Sequence, residues 1–176
     1  MRMVKVTLRG TSALLMHRFP LDPIDAIEKK SKEEQAEIAA YRETNTGELF
    51  IPGINVQRSL VAAAIYSKGK GRASLQKPVA ACVLVTPECI ELGTKDYSID
   101  SRAVVIPATK GRVVRHRPRV DDWQIVFFIE WDELLLTEKQ VRQVVDDAGS
   151  KVGLLDFRPE KKGPFGRSIV VGWEIE

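Results

Sequence analysis

The residues of this chain best suited to chemistry are its cations, and they are not spread evenly. Fourteen of the 27 lysines and arginines fall in three stretches. Residues 101–120 hold Arg102, Lys110, Arg112, Arg115, Arg117 and Arg119 without one acid, and residues 66–78 hold Lys68, Lys70, Arg72 and Lys77, again without one. Residues 153–167 bring Arg158, Lys161, Lys162 and Arg167 together with Phe157, Phe165, Gly153, Gly163 and Gly166. Residues 20–50, by contrast, carry eight acids against four bases. Segregation of this kind predicts a positive face for a polyanion rather than a merely solvated surface. Lysine and arginine contact backbone phosphates whatever the base sequence, and aromatic rings stack on unpaired bases for about 1–3 kcal/mol each. Glycines let the main chain approach a phosphate closely. Phe157 and Phe165 have two possible uses, stacking on bases or folding back over the core.

Catalytic and metal chemistry have thinner support. His17 stands beside Arg18, and His116 among arginines. One histidine as general base, with a cation for transition-state charge, suffices in principle for metal-free RNA cleavage, but no companion acid is specified. Cys82 and Cys89 share no zinc-ligand spacing with the two histidines, and Cys82 in its apolar run reads as a small buried hydrophobe. The pairs Asp121-Asp122 and Asp146-Asp147 read as a turn and a solvated helix end. No nucleophile-elbow, zinc-protease or P-loop spacing is present; neither metal nor cofactor is expected.

The elements that must position these residues follow from periodicity. Met3, Val4, Val6 and Leu8 alternate with Lys5 and Thr7 in a half-buried strand extending toward Met16. Residues 31–43 read as a charged helix lying on the body as an insertion within residues 20–48. Pro52 and Gly53 punctuate a helix start, with Leu60, Val61, Ala64 and Ile65 as its buried stripe. Its polar first turn, Asn55 to Ser59, has two possible uses, holding a phosphate or only capping and solvating the helix. Residues 79–85 and 89–92 read as strands, another lies within 96–107, and 101–120 form a basic hairpin or arm. Residues 123–131, β-branched and aromatic, are the strongest strand, central and buried. Thr137 and Gln140 form a capping-box pattern before the stripe Val141, Val144, Val145, Ala148; Gly149 and Gly153 end that helix. The glycine-rich loop 153–167 then drops into a strand at 168–173. The order strand, helix, strand, strand, helix, strand predicts one α+β domain over 1–176: a ferredoxin-like, RRM-related antiparallel sheet with two core helices.

At 176 residues, 44% hydrophobic and 29% charged, the chain fits one globular domain with an ordinary core. Its apolar runs are too short to cross a bilayer and its first residues do not form a signal peptide. A cytoplasmic protein, in a bacterial or phage-infected cell, is expected, with no membrane partner.

Three motifs carry a family resemblance: Ala13-Leu14-Leu15-Met16-His17, Leu49-Phe50-Ile51-Pro52-Gly53 before Arg58-Ser59-Leu60, and Gly153 with Gly163-Pro164-Phe165-Gly166-Arg167 before the last strand. In these the chain resembles the RAMP superfamily, which includes backbone and processing subunits of CRISPR ribonucleoprotein complexes. It also looks like small bacteriophage-type proteins with the same Pro-Gly helix start. The resemblance implies single-stranded RNA binding and head-to-tail homo-oligomers. It points to Arg18, Gln57, Arg58 and the segment Gly163 to Arg167, and matches the arm to a clamping hairpin. A nuclease member would place a histidine near the first helix, where this chain has none, so binding is favoured over processing.

The expected function is therefore non-catalytic, largely sequence-independent binding of single-stranded RNA or DNA by an oligomer or filament. The expected contacts are Arg18, Gln57, Arg58, Lys68, Lys70, Arg72, Lys110, Arg112, Arg115, His116, Arg117, Arg119, Arg158, Lys161, Lys162, Phe165 and Arg167. The alternatives are a metal-independent endoribonuclease using His17 or His116, and a protein-interaction module whose basic arm docks on an acidic partner.

Overall fold

The computed structural model describes residues 1–69 and 71–176; Lys70, one of the expected contacts, lies outside the described residues. Strand β1 (Arg2–Gly10) buries Val4, Val6 and Leu8 and leaves Lys5 and Thr7 half-exposed, the alternation that period-two pairing requires. Numbering on along the chain, β2 is Leu14–Leu15, α1 Ile24–Glu28, α2 Lys32–Ala39, β3 Phe50–Pro52, α3 Gly53–Ala63, α4 Gln76–Cys82, β4 Val83–Thr86, β5 Cys89–Glu91, β6 Ser98–Val105, β7 Arg112–Val120, β8 Gln124–Trp131, α5 Glu138–Asp147 and β9 Ser168–Ile175. The fold is α+β, with antiparallel sheets and, among the described residues, five α-helices. The main sheet has the order β4-β8-β1-β9, every pair antiparallel.

The core lies under one face of that sheet. Ile125, Phe127, Ile129 and Trp131 of β8 point into it from an interior position between β4 and β1. Val56, Leu60 and Ala63 of α3 and Val141, Val144 and Val145 of α5 close it from the other side. The capping box of α5 is complete: the Thr137 side chain accepts from the Gln140 amide and the Gln140 side chain accepts from the Thr137 amide. A second sheet, β2-β7-β6, carries the basic hairpin, and β3 pairs with β5 in a third.

Five local expectations are corrected. The first strand does not run on to Met16. It stops at Gly10, where the Trp123 indole fills the place of a side chain, and Leu14–Leu15 cross to pair with β7. The charged helix expected over 31–43 is two pieces, α1 and α2. The second starts on a Ser31–Glu34 capping box and ends at Ala39, after which the Arg42 guanidinium bonds Glu37 and the Gly47 and Lys95 carbonyls and draws the chain away. Residues 79–85 are not one strand, because Val79 to Cys82 belong to α4. Pro78 sits in its first turn, where a missing N–H costs nothing. The buried stripe of α3 is Val56, Ser59, Leu60 and Ala63, which leaves Ile65 58% exposed. Asp147 is not solvated but 4% exposed, accepting from Ser67 Oγ at 3.2 Å and Lys151 Nζ at 2.6 Å.

Candidate nucleic-acid interface

The three motifs that are distant in sequence meet at one cleft. The chain after β2 places His17, held by Met16 N–H donating to the Pro118 carbonyl (2.9 Å) and Arg18 N–H to the Ala39 carbonyl (2.9 Å). Helix α3 begins at Gly53, whose N–H donates to the Glu88 carbonyl at 2.7 Å and whose Cα lies so close to the Pro87 carbonyl that a side chain would not fit. That start directs Asn55 and Arg58 outward. The loop after α5 is tied to the same helix, Ser59 Oγ donating to the Gly153 carbonyl at 3.0 Å. Between them lies a cleft of about 410 Å³ lined by His17, Tyr41, Asn55, Arg58, Asp156 and Arg158, among others. His17 is also a wall of an adjoining depression that holds Arg18, Arg115 and His116.

The charges of this surface differ in how far they are already engaged. Arg158 donates to Glu160 at 2.7 and 3.0 Å and to the Leu155 carbonyl at 2.8 Å. Asp156 is neutralised by Arg117. Among the described residues, Arg18, Arg58 and Arg115 have no carboxylate oxygen within 4.0 Å, and Arg58 and Arg18 are exposed. His17 has its pKa lowered from 6.5, first by desolvation; Asp156 opposes the shift and Arg115 and Arg117 add to it. His116 meets Ser101 Oγ at 2.7 Å.

The hairpin turns one face inward onto the glycine-rich loop. Cross-strand register sets Asp100 opposite Arg117 and Arg102 opposite Arg115. Arg102 donates to Asp100 at 2.7 and 2.8 Å and lies over the rings of Phe165 (5.0 Å) and Phe157 (5.7 Å). Arg119 lies over Phe165 at 5.6 Å and pairs with Asp121 at 2.8 Å. Two expected contacts are corrected here. Phe165 is 5% exposed and belongs to the interior, packed on Phe157 with 5.9 Å between ring centroids. Arg117 is also 5% exposed and ion-paired with Asp156, its Nε and Nη2 buried without a partner among the described residues.

The loop's glycines are likewise spent internally. Gly163 packs against the Phe157 carbonyl and Gly166, at φ 74°, against the Leu154 main chain, neither leaving room for a Cβ. Gly166 N–H donates to Ala13 and Asp156 N–H to Leu15, so the loop is stitched to the β2 segment rather than open to a phosphate. Leu155 and Phe157 hold left-handed backbone at φ 60° and 47°, a conformation costly for branched and bulky residues; it turns Asp156 toward Arg117 and the cleft.

The remaining expected contacts lie elsewhere. Gln57 is structural: its side chain donates to the Val83 carbonyl (2.8 Å) and accepts from Val85 N–H (2.9 Å), fixing β4 to α3. Lys110 and Arg112 are exposed at the hairpin tip, and Lys161 and Lys162 on the turn after Arg158. Arg167 donates to the Ser150 carbonyl at 2.5 Å. Arg72 is exposed on the loop after α3, and Lys68 lines a separate groove. Sequence reasoning missed Tyr41 and Asp156 as cleft residues. Neither carries a local signal, since Asp156 gains its role only through Arg117, 39 residues away.

No protein-family model matches the chain, and no curated protein matches it by sequence. A solved structure does. The chain is similar, with a TM-score of 0.59, to a chain in the cryo-EM structure of a type III-B Cmr-beta bound to cognate target RNA. The likeness covers 99% of this chain and 60% of that one at 10% identity, so it speaks to the fold, and this chain spans 60% of its neighbour's length.

Proposed function

We propose that the protein is a RAMP-type RNA-binding subunit of a ribonucleoprotein complex, holding a single strand without cleaving it. The observation that carries this reading is the convergence of His17, Asn55, Arg58 and Arg158, from three distant segments, on one cleft whose Arg58 has no carboxylate partner among the described residues. An exposed guanidinium with no carboxylate beside it suits a backbone phosphate. The fold neighbour, a component of an RNA-bound Cmr assembly, favours RNA over DNA. The succession β1, α3, β4, β8, α5, β9 with sheet order β4-β8-β1-β9 supports a ferredoxin-like frame. Head-to-tail assembly belongs to the same proposal and rests on the family resemblance.

The test is a gel-shift panel of single- and double-stranded RNA and DNA. Retention of single-stranded RNA at micromolar protein or below, falling steeply with salt, is expected; no retention at low salt overturns the reading. One observation favours a second reading, cleavage: His17, its pKa lowered from the ordinary value, shares the cleft with Tyr41, Arg58 and Arg158. RNA cut in the presence of chelator by the wild type and left intact by His17→Ala would establish it.

A further inference from the structure

The strand-binding chemistry sought at Phe157 and Phe165 is present at a different aromatic. Both of those rings are covered by arginines or buried, whereas Tyr66, in the turn that follows α3, is 56% exposed. It borders a groove of about 360 Å³ that also holds Lys68, Lys139, Lys151, Gln143 and Asp147. Lys151 Nζ stands 4.9 Å from the centre of the Tyr66 ring, and more than half of the residue stays open to solvent. The arrangement is braced from below by a buried carboxylate. Asp147 accepts from Ser67 Oγ, the residue next to Tyr66, and from Lys151 Nζ. Burying a charge is costly unless it is fully bonded, and these two bonds fix both the ring and the ammonium above it. Lys151 is thereby engaged, while Lys68 and Lys139 have no carboxylate oxygen within 4.0 Å among the described residues, which leaves the groove positive.

On the premise that the cleft holds a single strand, we propose that this groove is a second station for the same strand, where a base stacks on Tyr66 and the flanking phosphates meet Lys68 and Lys139. Groove and cleft are neighbours through two elements. Helix α3 and its final turn carry the chain from Asn55 in the cleft to Tyr66, about 17 Å at helical rise. The segment from Lys151 in the groove to Gly153 in the cleft is only two residues long. A strand of a few nucleotides laid along the exposed side of α3, past Arg58, reaches both. Tyrosine and lysine together give sequence-tolerant affinity, because every base has a flat face.

The test compares a dinucleotide, too short to reach from the cleft to the groove, with a single-stranded dodecanucleotide. Tyr66→Ala lowers dodecanucleotide affinity roughly 5- to 150-fold, Tyr66→Phe retains it, and dinucleotide binding is unchanged by either. A 4-thiouridine dodecanucleotide crosslinks to the peptide containing Tyr66. Unchanged dodecanucleotide affinity in Tyr66→Ala and in the Lys68→Glu, Lys139→Glu double variant, with binding still weakened by Arg58→Glu, overturns the second station and leaves the cleft standing. Absence of the crosslink from a bound dodecanucleotide does the same. Failure of the wild type to bind either oligonucleotide removes both.

Discussion

Arg117 and Arg58 both belong to the surroundings of one cleft, the first through its ion pair with Asp156, the second by lining it directly. Arg117 comes from a stretch of six cations without an acid, Arg58 from a helix with no other charge in its first two turns. Yet Arg117 is sealed inside, while Arg58 faces solvent without a carboxylate partner among the described residues. The inner face of the hairpin uses Arg102, Arg117 and Arg119 to fasten itself to Phe157, Phe165 and Asp156, and the exposed cations without a carboxylate partner among the described residues, Arg18 and Arg58, are left to a ligand. Dense charge in the sequence therefore marks two different roles. A guanidinium that finds a ring and a carboxylate within the fold is part of its stability; one that does not is available to a phosphate.

The comparison is sharpened most by breaking the internal pair. Asp156→Ala leaves Arg117 buried and uncompensated, and unfolding in urea should show a loss of about 3–5 kcal/mol; a loss below about 1 kcal/mol would mean that the pair does not hold the hairpin to the loop. The outward class behaves differently. Arg18→Gln leaves stability within about 0.5 kcal/mol but reduces the slope of log affinity against log salt for single-stranded RNA by about 0.7, whereas Arg119→Gln lowers stability and leaves that slope unchanged. The smallest effect is on pH. Because His17 has a folded pKa below 6.5, protonation is resisted by the fold. The stability it contributes is complete above the unfolded value and is lost as pH falls through 6.5 toward the folded value. His17→Gln should flatten that limb of a stability–pH curve, and a steeper decline would mean the sign is wrong.

Much of the frame was legible because it follows from local pattern. The alternation of β1, the β-branched run of β8 and the Thr137–Gln140 cap each specify an element within a few residues of chain. The hairpin was legible as an acid-free arm, but not which face it turns inward, because that depends on rings and carboxylates supplied by residues 156–165. For the same reason the sequence pointed to Phe165 as a stacking ring and gave no sign of Tyr66. Local composition surrounds both with lysine and arginine, and only the closed loop shows that one is buried and the other exposed. Gln57 looked like a strand contact through its polar turn, whereas two hydrogen bonds to β4 commit it to the fold.

The most direct measurement is the affinity of a labelled single-stranded RNA dodecamer for the wild type and for Arg58→Glu at low salt, alongside their unfolding curves. The account predicts binding by the wild type, at least tenfold weaker binding by Arg58→Glu, and superimposable unfolding. Equal affinity for the two proteins, or no binding by either, would contradict it.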